Sequence, residues 1–167
     1  MIFMQVPGLP PTTNHAYYDR VEVVKGKGRG GKKFIVKRVL TTEGEKYKME
    51  TSNHLVKHYP GELRIMQPDI PLGLAILLDL PNLYNKGWPK SAKTRYKKLD
   101  VSNRVKLLED AIAHAGGIDD CNFMTAAPSK RLGAEQTSIW IWNVDEEGLI
   151  PYALAGGGPV DPGAARL

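Results

Sequence analysis

A lysine and several aspartates lie close together between residues 100 and 120. Asp100 precedes Lys106 by six positions, and Asp119 and Asp120 follow a glycine pair further along. A hard cation such as Mg²⁺ takes oxygen ligands, commonly one or two carboxylates together with waters and phosphate oxygens. Such an ion polarises a phosphate and lowers the pKa of a bound water, and a nearby ammonium group stabilises the charge that develops. The residue types therefore predict metal-assisted hydrolysis of a phosphodiester.

Each of these residues also has a purely structural interpretation. Asp100 or Ser102 is a good N-cap for a helix that starts beside it, because its side-chain oxygen accepts from a free backbone N–H. Lys106 and Asp110 are four residues apart and would form an exposed helical ion pair worth roughly a few tenths of a kcal/mol. The aspartate pair after two glycines is typical of a turn. Taken one at a time, the residues leave both interpretations open.

The clearest helix in the sequence runs from Val101 to Ala115. Its apolar residues recur at helical spacing on one side, and polar residues form a narrow stripe opposite. The apolar side consists of Val101, Val105, Leu108 and Ile112, and the stripe of Asn103, Lys106, Asp110 and His114. Gly116 and Gly117 end the helix, because glycine enters the left-handed region without steric cost. If the following strand packs antiparallel to this helix, we expect Asp100 and either Asp119 or Asp120 to converge on one ion.

The remaining segments are mostly strands. Apolar and β-branched runs predict short strands at Met1–Val6, Val21–Val24, Phe34–Leu40, Leu63–Met66, Leu72–Leu80, Asn122–Ala127 and Thr137–Val144. A second helix is expected from Glu43 to His58, capped by Thr41 or by Thr42 with Glu45 as capping-box partner. Thr12 to Tyr18 reads as irregular.

This order of elements favours the α+β class. We expect a mixed β-sheet, with the apolar Leu72–Leu80 strand at its centre, a long basic hairpin, and two main helices packed on one face. Residues 1–150 are long enough for a single domain with a sizeable core. Residues 151–167 are rich in glycine and proline, which predicts a largely disordered tail.

Positive charge is concentrated in two stretches. The net charge is +5, and fourteen of the 23 Lys and Arg residues fall within Arg20–Arg38 and Asn85–Lys98, against one acid, Glu22. Clustered cations favour a polyanion as partner, although two solvated loops would show the same composition. As DNA-binding residues the sequence predicts Lys25, Lys27, Arg29, Lys32, Lys33, Lys86, Trp88, Lys90, Lys93, Arg95, Lys97 and Lys98.

Several classes of protein are disfavoured by composition. No apolar run approaches the roughly 20 residues that span a bilayer, so no membrane partner is expected. The N-terminus lacks a charged region followed by a long apolar one, so no secretory signal is predicted. One cysteine, Cys121, excludes an intramolecular disulfide, and we expect it to be a small buried residue. These observations favour a soluble, cytoplasmic protein.

Taken together, the polar residues resemble a family signature. Asp100, Asn103, Lys106 and Asp110, then Gly117-Ile118 and Asp119-Asp120, resemble the pattern D-x-D-N-x-x-K-x-x-x-D and the later D-D pair of the RusA-like Holliday junction resolvases. The start is similar too, with Gly8-Leu-Pro-Pro-Thr-Thr-Asn14, Tyr17, the Arg38 strand and Thr42-Glu-Gly-Glu-Lys-Tyr47. The resemblance runs from about Phe3 to Val144.

The resemblance implies a small endodeoxyribonuclease carried by a phage or prophage. It further implies dependence on Mg²⁺, for which Mn²⁺ substitutes, and a homodimer that nicks four-way (Holliday) DNA junctions symmetrically by phosphodiester hydrolysis. By position it implies catalytic residues Lys106, Asp100 and Asp120, metal ligands Asp100, Asp120 and Asp119, and supporting residues Ser102, Asn103 and Asp110.

One position departs from the family pattern. Ser102 stands where the family has its second aspartate, and a neutral oxygen binds a divalent ion less strongly than a carboxylate. The sequence leaves three candidate functions. The first is a structure-specific, Mg²⁺-dependent endodeoxyribonuclease. The alternatives are a branched-DNA-binding protein of phage recombination whose catalysis is weak or lost through Ser102, and a general nucleic-acid binder of phage replication.

Overall fold

The structure is a computed structural model that describes residues 1–25, 32–97 and 101–151, with the backbone alone for residues 13, 14, 25, 32, 33, 102 and 103. Its strands are β1 (Ile2–Pro7), β2 (Tyr17–Lys25), β3 (Lys32–Leu40), β4 (Leu72–Leu80), β5 (Phe123–Leu132) and β6 (Gln136–Asn143). Its α-helices are α1 (Thr13–Ala16), α2 (Thr42–His58), α3 (Pro60–Leu63), α4 (Ser102–Gly116) and α5 (Val144–Glu147), and a 3₁₀ turn spans Asp120–Asn122. The predicted α+β class is confirmed.

Four strands form the main sheet, in the order β1-β6-β4-β5. β4 pairs parallel with β5 and antiparallel with β6, so the sheet is mixed, as predicted. Every residue of β4 is buried, which confirms its central position. Because parallel neighbours need a crossover connection, the chain between β4 and β5 carries α4 and returns to the edge at which β4 begins.

The sheet separates two apolar clusters. On one face, alternate β4 residues such as Leu74 and Ile76 pack with Leu55 of α2 and with Leu108 and Ile112 of α4. On the other face, Ala75 and Leu77 pack against Trp140 and Trp142 of β6. The two main helices therefore lie on one face, as predicted, and both tryptophans of β6 belong to the core.

The two long helices start and end at identifiable residues. α2 is capped by Thr41, whose hydroxyl accepts from the backbone N–H of Gly44 at 3.1 Å, so the alternative cap at Thr42 with Glu45 as its partner is wrong. In α4, Val101 occupies the cap position with helical φ −68° and ψ −39° and makes no side-chain cap hydrogen bond. The predicted cap at Asp100 or Ser102 stays a prediction, because Asp100 and the Ser102 side chain lie outside the described part of the chain. At its other end Gly117 takes the predicted left-handed conformation, with φ 67°.

Two segments differ from the sequence prediction. The stretch Leu63–Met66 is not a strand: Pro60 begins the short helix α3, a favourable position because proline lacks the N–H that the first turn leaves unpaired. Leu63 and Met66 are both buried, and a spacing of three puts them on the same side of a helical turn. The segment predicted as irregular, Thr12–Tyr18, instead contains α1 and the start of β2.

Strands β2 and β3 form a separate antiparallel pair, here called the β2–β3 ribbon. Its two strands are longer than predicted. The expected flexible tip was Lys25–Lys33, but Lys25, Lys32 and Lys33 belong to the paired strands. Residues 26–31, with Lys27 and Arg29, lie outside the described residues, as does the predicted tail beyond residue 151. Among the helices that the structure describes, none combines the length and hydrophobicity needed to cross a membrane.

Candidate active site

Lys106 lies between two carboxylates on the solvent side of α4. Its ammonium group forms an ion pair with Asp110 Oδ1 at 3.0 Å and a second, closer one with Asp120 Oδ2. Asp110 is one helical turn further along, so the predicted pair is present. Asp120 comes from the segment after the helix, so this segment lies against the polar stripe of α4. The predicted convergence with Asp100 stays a prediction, because Asp100 lies outside the described residues.

The end of α4 brings Asp120 back to Lys106. Gly117 turns the chain, and the backbone N–H of Ile118 donates to Ala113 O at 3.0 Å, which holds the next residues against the last helical turns. Asp119 then caps the 3₁₀ turn by accepting from the backbone N–H of Cys121 at 3.0 Å. Each carboxylate of the aspartate pair thus has a defined place before β5 begins.

Tyr17, from the N-terminal part of the chain, also contacts Asp110. The phenol of Tyr17, the first residue of β2, donates to Asp110 Oδ2 at 2.6 Å, and the Arg38 guanidinium lies 5.5 Å from the Tyr17 ring centroid. Burial, followed by the hydrogen bond to Asp110, raises the pKa of Tyr17, so its hydroxyl remains a donor at neutral pH. Asp110 is therefore held from both sides, by Tyr17 and by Lys106.

An open cavity of about 310 Å³ lies beside these residues. It is lined by Lys48 of α2, Asp110, Ala113 and His114 of α4, and Ile118, Asp119 and Asp120 after the helix. Oxygen donors and two cations, Lys48 on its wall and Lys106 beside it, surround a space that reaches solvent. This composition suits a phosphate group and a hard cation better than an apolar ligand.

The charge of Lys106 is fixed by its partners. Burial alone would lower its pKa, but the hydrogen bonds to Asp120 and Asp110 outweigh burial and raise the pKa above its ordinary value. The amine is therefore protonated throughout the neutral range and acts as a cation, not as a base. At Asp119, the N–H of Cys121 lowers the pKa of the carboxyl, which keeps this side chain ionised.

The other residues predicted for the site lie at the start of α4. Ser102 and Asn103 begin the helix, but only their backbone is described, and Asp100 lies outside the described residues. Within the described part of the chain, no three His, Cys, Asp or Glu side chains form a ready-made metal site. The donors that are described, Asp119 and Asp120 on an open polar cavity, nevertheless fit a hard divalent ion in type.

Nine of the twelve predicted DNA-binding residues are described, and they lie in two groups. Six of them lie exposed on the connection that follows β4, called the β4–α4 loop and described for residues 81–97: Lys86, Trp88, Lys90, Lys93, Arg95 and Lys97. Lys25, Lys32 and Lys33 lie at the far ends of the ribbon strands, with only their backbone described. Lys27, Arg29 and Lys98 lie outside the described residues.

Two residues at the site were missed by sequence reasoning: Tyr17, which contacts Asp110, and Lys48, which lines the cavity. One further expectation was wrong. Tyr17 was noticed within the family-like start but had no assigned partner, and Lys48 had no motif around it. Cys121 was expected to be buried but is exposed. The hydrogen bond between its side chain and Asp119 raises the pKa of the Cys121 thiol, which makes it a weak nucleophile at neutral pH.

A buried sheet that positions a lysine–carboxylate group beside a polar cavity fits a metal-assisted nuclease. Comparison with protein families makes this specific: the profile of the family described as endodeoxyribonuclease RusA matches residues 7–141. The chain belongs to this family and is an endodeoxyribonuclease of the Holliday junction resolvase type, which hydrolyses DNA phosphodiester bonds. Comparison with curated proteins gives no match.

Replacing Tyr17 by phenylalanine tests the contact that holds Asp110. The substitution removes one hydrogen bond to a charged, partly buried carboxylate, so we expect stability to fall by about 2 kcal/mol. DNA nicking should also slow, because Asp110 then fixes Lys106 less firmly. Urea unfolding midpoints measure the first effect, with Tyr18→Phe, at the exposed neighbouring tyrosine, as the matched control. Equal midpoints for the two variants would contradict the assigned contact.

Proposed function

We propose that this protein nicks four-way DNA junctions as a homodimer in the cytoplasm, using Mg²⁺, for which Mn²⁺ substitutes. The observation that carries the proposal is the ammonium group of Lys106 paired with both Asp110 and Asp120 beside a polar cavity, in a chain of the RusA family. Divalent-metal dependence and action on branched DNA are general in this family. What we propose for this chain is the identity of the metal, the homodimer, the cytoplasmic location and the roles of individual residues.

Lys106 is proposed to stabilise charge on the scissile phosphate. Its raised pKa removes a role as general base, whereas a fixed cation lowers the energy of a transition state in which negative charge accumulates. Asp110 holds the ammonium in place and is itself fixed by Tyr17. Lys48, which lines the cavity, adds a second positive charge toward an entering phosphate.

Asp120, Asp119 and Asp100 are proposed to hold the metal. When bound, Mg²⁺ supplies a Lewis acid for the phosphate and lowers the pKa of a water molecule. Asp120 pairs with Lys106 through Oδ2, so the residue that would hold the ion also holds the ammonium group. Asp100 is assigned as a metal ligand because of the family resemblance. Ser102, two residues later in the sequence, contributes at most a neutral oxygen.

Lys106→Ala tests the catalytic assignment. We expect nicking of a synthetic four-way junction in Mg²⁺ to be lost while junction affinity falls only modestly, because one cation among many contributes little to phosphate neutralisation. Lys46→Ala is the matched control, since Lys46 is an exposed lysine on α2 that also pairs with an acid four residues away. Cleavage rates and binding curves are measured beside a linear duplex. Undiminished nicking by Lys106→Ala would remove Lys106 from the mechanism.

The same experiment separates the alternatives. A wild-type protein that binds the junction tightly and does not cut it is the binding protein whose catalysis was lost through Ser102. Equal affinity for the junction and the linear duplex, without cutting, is the result expected of a general nucleic-acid binder. Metal-dependent cutting confined to the junction supports the proposed function.

Ser102→Asp tests the metal site independently of DNA. If position 102 faces the ion, a restored carboxylate raises metal affinity, and repulsion by Asp100 and Asp120 lowers stability when the metal is absent. The variant should then melt lower than wild type without Mg²⁺ and gain more stability when Mg²⁺ is added, by mass action. Thermal melts of both proteins, with and without the metal, give the comparison.

A role for Ser102 in the helix alone predicts a different result for the same variant. Position 102 is the first residue of α4, where a negative charge is favourable near the positive end of the helix dipole. If Ser102 has only this helical role, the aspartate variant holds or gains stability without metal and shows no added response to it. That result would mean that position 102 does not face the ion.

The β2–β3 ribbon offers a surface for the proposed dimer. Val21 is paired with Val36 and Val23 with Phe34, and cross-strand partners point to the same face. These four side chains are between 58% and 66% exposed and form a contiguous apolar patch. A second copy related by a two-fold axis covers this patch with the same patch, and paired active sites match the two equivalent strands of a four-way junction.

Phe34→Glu tests the proposed interface. A charge in the middle of the patch would be buried without a partner in the dimer, so we expect the variant to be monomeric. Val24→Glu is the matched control, because Val24 lies on the opposite face of the ribbon. Light scattering at micromolar concentration should give about twice 18.5 kDa for wild type and the control. A monomeric wild type, with junction present, would argue against paired incision.

A further inference from the structure

The β4–α4 loop carries an aromatic cluster that the proposed active site does not use. The rings of Tyr84 and Tyr96 have their centroids 5.4 Å apart at 33°, and the Arg95 guanidinium lies 5.6 Å from each centroid. The three groups thus stand at nearly equal mutual distances. Tyr84 and Tyr96 remain 40% and 47% exposed, so much of each residue faces solvent.

This cluster is held in place by the loop backbone. Tyr84 and Tyr96 form an antiparallel bridge, flanked by hydrogen bonds from Asn85 N to Arg95 O and from Lys97 N to Leu83 O, both 2.9 Å. The Asn85 side-chain amide donates to Thr94 O at 2.7 Å and to Tyr96 O at 3.0 Å. Leu83 is buried, which anchors the bridge to the protein body. The two rings are therefore presented on a fixed support.

The surrounding charge indicates the chemistry of the partner. Residues 81–97 contain Lys86, Lys90, Lys93, Arg95 and Lys97 and no acidic residue. A ligand that is both polyanionic and able to stack on rings is a nucleic acid with unstacked bases, since aromatic faces and arginine planes bind bases by stacking. In a duplex the bases are stacked inside, so only unpaired ones reach this surface.

We propose that Tyr84, Tyr96 and Arg95 form a stacking platform for an unpaired DNA base at the crossover of a branched junction. The inference rests on the proposed function for the identity of the DNA. Four peptide links join Lys97 to Val101, so their Cα atoms are at most about 14 Å apart, and Lys106 lies roughly 7.5 Å further along α4. The whole span is on the order of six nucleotide steps of about 3.4 Å, so one strand can contact the platform and Lys106 together.

The test measures preference for unpaired bases in the absence of divalent metal. The probes are an immobile four-way junction with two unpaired thymidines at its crossover and the same junction fully paired. We expect wild type to bind the first more tightly. In Tyr84→Leu/Tyr96→Leu this preference should disappear, with roughly ten- to hundredfold weaker binding to the unpaired probe, the range that loss of a base–aromatic stack gives.

Two further variants separate stacking from other causes. Tyr84→Phe/Tyr96→Phe keeps both rings and should retain the preference, and Tyr18→Leu removes an exposed tyrosine elsewhere and should also retain it. The slope of log affinity against log salt should be unchanged in the Leu variant, because no charge is removed. If Tyr84→Leu/Tyr96→Leu melts at a lower temperature than wild type, the single variants Tyr84→Leu and Tyr96→Leu are measured in its place.

The outcomes for the platform and for the nuclease are distinguishable. Equal preference in wild type and the Leu variant, or loss of preference in the Phe variant, overturns the platform whatever the cleavage result. A preference that depends on the rings supports the platform even if wild type cuts no junction, in which case only the proposed function fails.

Discussion

The pairing of Lys106 with Asp110 and Asp120 is the contact on which the site depends. It joins one turn of α4 to the segment after the helix, and about half of the Lys106 side chain remains exposed to solvent. Exposed ion pairs of this kind contribute little to stability, because water screens them. The geometry must therefore be imposed by the parts of the structure that are buried.

The buried face of α4 supplies that constraint. Leu108 and Ile112 have no exposed surface and pack against the sheet, which fixes the rotation of the helix about its own axis. Lys106 and Asp110 are consequently presented on the opposite side. Because β5 pairs in parallel with the fully buried β4, the chain after α4 must return to the edge of the sheet where β4 starts. The core thus decides both which face of the helix is open and where the aspartate pair lies.

How much the sequence could predict follows from the range of each interaction. The α4 periodicity, the Gly117 stop and the cap at Thr41 are local patterns, and all three are present. The contact between Tyr17 and Asp110 joins residues 93 positions apart, so no spacing rule could find it. Lys48 enters the cavity only because α2 packs beside α4. The strand predicted at Leu63–Met66 was wrong because a short apolar run fits a helical turn equally well, and Pro60 favours the helix.

The charges at the cavity give an independent reason for a divalent ion. Of the described side chains, Asp110, Asp119 and Asp120 contribute three negative charges, and Lys48 and Lys106 only two positive ones. A phosphodiester brings one more negative charge into the same space, where it would be repelled by the aspartates that hold Lys106. Neutralising the resulting excess takes two positive charges, which one divalent cation provides and a further lysine would not.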